Sequence, residues 1–423
     1  MWPHRWWAGA PGRQDRGLPG CAGPVAPESR IVEVDVVRGF ALFGVLLENM
    51  YGFGADSPAW SAAIDRLAFE FMHVFVESKT WTLFSLLFGL GFALQAGHAR
   101  NGGFPLLAIH LRRLAVLFAL GAAHALLYDG DILMLYAELG LVLLLLGGLP
   151  MRSLLLLAVG LLFVFPVAHL ASPPEPPDPL EFPATRAELE LAQRSHVYAI
   201  GSLAEVAADN ASAIPADPLE DLANPESGLA VLAMFLVGCC IGRTGVLRDM
   251  PANTAAIARV RAWGLGVGLG AMVLVRVLAA TAGFDVFRPH QAGPWVQFAG
   301  DLLFAFGTPL LALGYAATLV LAARTPRGKA LLAPLAGVGR MAVTIYLVQT
   351  LMFTTLFHGY GLGQAFRLGP AAVTACAVAF FAVQVVACGW WSRRFRFGPI
   401  EWLWRSATYL RWQPMRSRDE STA

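Results

Sequence analysis

The feature that most restricts this chain is a series of ten apolar runs, each near the roughly 20 residues that a helix needs to cross about 30 Å of hydrocarbon. They lie at 37–54, 79–97, 107–127, 131–148, 152–170, 229–246, 262–282, 295–322, 332–357 and 370–391. In hydrocarbon every backbone N–H and C=O must be bonded within its own segment. The runs therefore predict an all-α, polytopic integral membrane protein with about ten transmembrane helices and the lipid bilayer as its surroundings. Only 14% of the residues are charged, against roughly 25% in an ordinary soluble domain, so a water-facing surface is excluded for most of the chain. A net charge of +2, with no basic stripe interleaved with aromatics, gives no basis for a nucleic-acid partner.

Lys and Arg collect in cytoplasmic loops, and here they alternate from one connection to the next. Of the 31 basic residues, 24 fall on the side that carries Arg30, Arg38, Arg112, Arg113, Arg152, Arg243, Arg324, Arg340 and Arg405. Both termini are predicted to be cytoplasmic. The chain then divides into a tail (1–29), a five-helix half (30–170), an outer connection (171–228), a second five-helix half (229–392) and a basic tail (393–423). The outer connection holds eleven acids and two arginines. Within it Leu189, Ala192, His196 and Ile200 recur at helical spacing, consistent with a short amphipathic helix over 185–208 or with a solvated loop. The two halves share no sequence repeat, and their apolar runs lack matched Pro/Gly breaks of the kind that transporters use. Cys239, Cys240, Cys376 and Cys388 sit inside apolar runs and read as reduced, packed thiols. Leu18-Pro19-Gly20-Cys21 has the look of a lipoprotein cleavage site, but Arg13, Asp15 and Arg16 precede it where an apolar core would be required.

The informative residues are those that cost free energy in lipid, at least about 2.5 kcal/mol for an ionisable group near a helix centre. Glu48, His124, Glu138 and Arg276 are such groups. At about 1.5 Å per residue they lie roughly 9, 5, 10 and 9 Å from the outer ends of their runs. Gln297, Asp301 and Gln349 fall in the same outer half. One shared level predicts a polar cavity in which Arg276 faces Glu48 or Glu138, leaving a second carboxylate as an acid or base. An ion pair that only fixes packing is the competing reading. His124, Tyr128 and Asp131 stand at i, i+4 and i+7 and line one face, a base arrangement or a satisfied buried histidine. No His-x3-His or Cys-x2-Cys spacing points to a metal. The glycines of Gly264-Leu265-Gly266-Val267-Gly268-Leu269-Gly270, like Gly89 and Gly91, read as close helix contacts and not as a phosphate loop, since no strand precedes them and no P-loop lysine follows. The absence of a Gly-x-Ser-x-Gly elbow leaves a hydrolase-type serine nucleophile without support.

Several strings resemble a known family. Arg30-Ile31, Asp35, Arg38-Gly39-Phe40-Ala41-Leu42-Phe43-Gly44 and Asn49 are followed by Phe84-Ser85-Leu86-Leu87-Phe88-Gly89, then by Arg112-Arg113 with Gly121 and His124. Asp131-Ile132-Leu133, Gly339-Arg340-Met341 and Gly398-Pro399-Ile400-Glu401-Trp402-Leu403-Trp404-Arg405 complete the set. Together they are similar to the YeiB-like family of bacterial inner-membrane proteins, a domain of unknown function. That family in turn looks like a distant relative of membrane acyltransferases that modify sugars, whose opening span carries Arg-Gly and, ten residues beyond the arginine, a catalytic histidine. Arg38-Gly39 fits that opening, and Glu48 occupies the tenth position.

The resemblance implies a multi-pass protein of the inner membrane. It also implies a possible O-acyltransferase with acyl-CoA as donor substrate and a glycan, lipid or small-molecule hydroxyl as acceptor. On that reading Glu48 or His124 takes the proton, with Glu138, Arg276 and Asp131 as further catalytic candidates. Arg38, Arg112 and Arg113 take the donor, and Tyr128, Gln297, Asp301 and Gln349 line the acceptor site. A transporter or flippase using the same charges, and an envelope scaffold, are the alternatives.

Overall fold

The computed structural model describes residues 30–55, 60–102, 106–171, 195–214, 228–286 and 292–416. Among these no β-strand forms; one isolated bridge joins Phe395 to Arg416. The helices are α1 (Val32–Tyr51), α2 (Ala63–Phe71), α3 (Lys79–Gly102), α4 (Leu106–Ala125), α5 (Leu133–Leu146), α6 (Met151–Ala171), α7 (Leu203–Ala213), α8 (Gly228–Thr244), α9 (Met250–Ala282), α10 (Pro294–Ala323), α11 (Pro326–Arg340), α12 (Ala342–Phe357), α13 (Pro370–Ser392) and α14 (Pro399–Tyr409). The tail with Cys21 and the stretch 172–194 lie outside the described residues.

Each of the ten apolar runs falls on a helix, but fewer qualify as spans. Six are long and apolar enough to cross a membrane: α2 and α3 taken together as Ala63–Gly97, α4, α6, α9, α10 and α13. The α11–α12 pair makes a seventh if its 82° bend is counted within one span. α1 has the length but carries Glu33, Asp35, Arg38 and Glu48, while α5 and α8 have only 14 and 17 residues. The physical reason for the shortfall is position. α1 and α8 are buried along most of their length, and a helix wrapped by other helices need be neither uniformly apolar nor full-length. α6, α9 and α13 instead expose Leu156, Val167, Trp263, Val277, Val383 and Val386, the apolar outer belt that lipid would cover.

α1 packs against α3 on one side and against α11, α12 and α13 on the other, so the first and second halves are interleaved. The main core runs from Leu42, Leu46 and Met50 of α1 through Phe235 of α8 to Phe353 and Phe357 of α12. Close approach comes from the expected glycines. A Cβ on Gly264 would stand 2.6 Å from the Leu310 carbonyl oxygen, and one on Gly268 2.5 Å from the Leu311 nitrogen, so α9 and α10 meet backbone to backbone. Gly91, by contrast, has nothing within 4 Å of its Cβ position and is no contact glycine.

Two helix breaks shape the bundle, and the second, inside the run 332–357, corrects the expectation of an uninterrupted run there. Between α2 and α3 a π-helical turn, Met72–Val76, ends at Glu77 and Ser78. Between α11 and α12 the chain bends at Met341. There Glu401 of α14 accepts the Val343 and Thr344 N–H groups at 2.7 and 3.0 Å and the Thr344 hydroxyl at 2.6 Å, supplying the acceptors that the first turn of α12 requires.

Of the stretch 185–208, read as a short amphipathic helix or a solvated loop, residues 195–208 are described; they are helical except at Gly201 and Ser202, and the interruption has a local reason. Ser202 starts α7 with a capping box, its hydroxyl accepting the Glu205 N–H while Glu205 Oε2 accepts the Ser202 N–H at 2.8 Å. Those bonds hold the Glu205 carboxyl below the ordinary carboxylate range. The segment docks on the helical body through Tyr198, which stacks on His358 at 4.8 Å and accepts the Gly359 N–H at its carbonyl, and through Asn210, which donates to the Leu126 carbonyl.

Candidate functional site

On α1, Gly44 and Glu48 stand one turn apart on the same face. A Cβ on Gly44 would lie 2.0 Å from the Thr80 methyl, so the glycine admits the start of α3 against α1. Contact brings two donors to Glu48: the Thr80 hydroxyl donates to Oε2 at 3.2 Å and the Ser78 N–H donates to Oε1 at 2.7 Å. Ser78 has φ 61°, a left-handed conformation that costs a residue with a Cβ about 1–3 kcal/mol. The Thr82 hydroxyl holds its carbonyl at 2.5 Å, and the neighbouring Lys79, fully buried, donates from Nζ to the His73 carbonyl at 2.7 Å.

Glu48 opens onto a cavity of about 490 Å³. Asn49, His73, Glu77, Ser78, Tyr128 and Tyr346 give it a polar side, and Trp81, Leu161, Leu162, Phe165, Met234 and Phe304 an apolar one. His73 sits there with Nδ1 on the Phe69 carbonyl at 2.8 Å and Nε2 3.9 Å from Glu77. The cavity thus has two chemically different sides, the Glu48 carboxylate on one and an apolar wall from α6, α8 and α10 on the other.

Of the residues expected at one shared level, the structure brings only Glu48 to this cavity; Tyr128, expected at the acceptor site, lines it too. Arg276 faces neither Glu48 nor Glu138. Its Nε and Nη2 donate to Glu70 of α2 at 2.9 and 2.8 Å, because the π-helical turn that follows α2 packs beside α9 and brings the end of α2 to it. Glu138 is half-buried on α5 and does not line the cavity. Gln297 donates to Asp301 at 3.0 Å, and Asp301 pairs with His169 of α6 at 2.9 Å, a separate polar cluster. Gln349 donates to Gln384 and to the Leu42 carbonyl, at 3.1 and 3.3 Å, and serves helix packing.

His124 and Asp131 do meet, at 2.6 Å, but across the turn that follows α4 and not along a helix face, since α4 ends at Ala125 before Tyr128 and Asp131. They lie behind Tyr346, whose ring is 4.9 Å from that of His124. The second histidine nitrogen contacts the Thr350 hydroxyl at 2.7 Å, and Asp131 Oδ2 accepts the Met134 N–H at 2.8 Å, so both groups are engaged and neither lines the cavity. Replacing Asp131 by alanine leaves the His124 nitrogen and the Met134 N–H without their acceptor. The expected loss is about 1–3 kcal/mol of stability, measurable by unfolding in detergent. Arg276→Gln removes a pair whose Glu70 side chain is 51% exposed and is expected to change stability by less than about 0.5 kcal/mol in the same measurement.

Arg38 and Arg113 occupy the opposite end of the bundle, and Arg112 is exposed beside them. The residues that the sequence reading missed are His73, Glu77, Ser78, Trp81 and Tyr346, together with buried Lys79. All but Tyr346 lie in or next to the break between α2 and α3, which apolar run length does not detect. Gly44 one turn before Glu48 was the available signal. Among the described residues, no group of three or more His, Cys, Asp or Glu side chains is placed to hold a metal ion.

Interleaved apolar helices around a carboxylate-bearing, half-apolar cavity define a multi-helix membrane protein with an internal cavity. The chain belongs to the YeiB-like family described as protein of unknown function (DUF418), whose model matches residues 241–411. It is 32% identical over 419 residues to the protein YxaH of Bacillus subtilis (strain 168), covering 93% of this chain and 98% of that one. Over 399 residues it is 31% identical to YeiB of Escherichia coli (strain K12), covering 90% and 96%. A 39.9 kDa protein from the amylase 3′ region of Bacillus acidopullulyticus is 27% identical over 405 residues, covering 94% and 99%.

Proposed function

We propose that this protein is a membrane-embedded acyltransferase of the bacterial inner membrane, with the basic helix ends toward the cytoplasm and the cavity toward the outer side. It moves an acyl group from a thioester donor to an acceptor hydroxyl, and Glu48 is the proton acceptor. The observation that carries the reading is the placement of Glu48, ten residues after Arg38, on the cavity wall with both carboxylate oxygens held in position.

In the reaction the acceptor hydroxyl gives its proton to Glu48 as its oxygen attacks the thioester carbonyl. The C–S bond then breaks, and the departing thiolate takes the proton back from Glu48, leaving an ester and a free thiol. The apolar wall holds the acyl chain. Hydroxyls of Tyr128 and Ser78 line the same space and are the donors available to the developing oxyanion, while that of Tyr346 donates to the Gly130 carbonyl. Arg276 and Gln349 are engaged elsewhere.

The test compares envelope lipids, glycans and secreted metabolites from cells with the gene, without it, and with Glu48→Gln at equal membrane level. The expected result is one species, heavier by an acyl mass, that disappears in both altered strains. Full restoration of that species by the Glu48→Gln protein overturns the reading. One observation favours a carrier instead: the α2–α3 break lies against the cavity, as broken helices do in transporters. Gradient-dependent uptake of an unmodified substrate into sealed vesicles decides for it.

A further inference from the structure

At the end of the bundle away from the cavity, α14 is fastened to two membrane helices. The Trp404 indole N–H donates to the Arg113 carbonyl on α4 at 2.9 Å, and Glu401 caps α12. This fastening draws Arg38, Arg113 and Arg405 within electrostatic range of one another, with Arg30 in range of Arg38, Arg340 and Arg405. Two carboxylates accompany them, and both are occupied. Asp35 accepts Arg30 at 2.5 and 3.1 Å and Arg38 at 2.8 Å, while Glu401 is spent on the first turn of α12.

Arg113 and Arg405 are left differently. Among the described residues neither guanidinium has a carboxylate within 4 Å or a hydrogen-bond acceptor. Each is braced by an aromatic face, Arg113 over Trp404 at 4.5 Å and Arg405 over Phe397 at 5.0 Å. Stacking fixes the plane and leaves the N–H edges unused, and a rigid fork of N–H donors matches the oxygens of a phosphate. Like charges gathered this closely repel unless an anion joins them.

We infer that Arg113 and Arg405, backed by Arg38, form a binding site for a phosphate group at the basic end of the bundle. The group belongs either to a lipid headgroup or to a soluble phosphoester, and the chemistry of recognition is the same for both. Arg38 and Arg113 are also residues expected to take the acyl donor, so on the acyltransferase reading the soluble phosphoester is that donor; the site itself stands on the arginine geometry, apart from Glu48 and the cavity, and its test requires no transfer reaction.

The test uses the full chain in an uncharged detergent, with two probes. Inorganic pyrophosphate is titrated calorimetrically, and retention of dioleoylphosphatidylglycerol is compared by native mass spectrometry with dioleoylglycerol, which has the same tails and no phosphate. The wild type is expected to bind at least one phosphate probe, and Arg113→Gln or Arg405→Gln to weaken it about tenfold, the loss of one charge-assisted hydrogen bond. Pyrophosphate binding identifies a soluble ligand; retention of the phospholipid alone identifies a headgroup. Arg405→Lys keeps the charge and removes the fork, so it serves where a glutamine variant fails to fold; weaker binding is again expected. The inference is overturned if neither phosphate probe binds the wild type, or if the folded variants bind as tightly as it does.

Discussion

Glutamine at position 48 is expected to lower formation of the acylated product by about 10²–10⁴-fold, the usual contribution of a positioned general base. The fold should survive the change. A glutamine oxygen can still accept the Ser78 N–H that now meets Oε1 at 2.7 Å, so the protein should unfold within about 1 kcal/mol of the wild type, ordinary for a conservative substitution. The split between the two readouts is what matters. Lost product with retained stability marks a group that handles protons in the cavity, whereas retained product with lost stability marks a carboxylate whose work is to hold α3 against α1. Mass spectrometry of the product and thermal unfolding of the same preparations separate the two.

Leucine at position 238 is expected to remove the folded protein from the membrane. A Cβ on Gly238 would stand 2.0 Å from the Leu86 carbonyl oxygen, and one on Gly89, across the same α3–α8 crossing, 2.0 Å from that of Phe235. The obstacles are backbone atoms in two helices that pack over most of their length, so no side-chain rotation relieves the clash. The cost should exceed about 4 kcal/mol, the range reserved for such mechanisms. The check is the yield of monodisperse protein after detergent extraction. Leucine at Gly266, whose Cβ position has nothing within 4 Å, should extract normally, which separates crowding from a change of hydropathy.

How far the residues announced the site depends on whether neighbours in sequence or neighbours in space build it. His124 and Asp131 are seven apart and meet across the turn after α4, which ends at Ala125, so nearness in sequence brought them together and a shared helix face did not. Arg276 and Glu70 are 206 apart and meet only because the π-helical turn that follows α2 packs beside α9. A common depth suggested one cavity, but depth fixes a single coordinate and leaves rotation about each helix axis open. Rotation sends Gln349 toward Gln384 and Asp301 toward His169, away from Glu48. His73, Glu77 and Ser78 were passed over because a π-turn and a left-handed serine carry no hydropathy signal.

Apolar run length by itself determined that this is an all-helical membrane protein, because a backbone in hydrocarbon must bond within its own segment and that demand is local. The same locality explains the glycine contacts along Gly264 and Gly268 and the placing of Glu48 on the opening helix. Which helices lie inside the bundle, where two of them break, and which polar groups share the cavity were decided only by tertiary packing. A buried helix is shielded by its neighbours and not by its own side chains, so its composition no longer reports its surroundings.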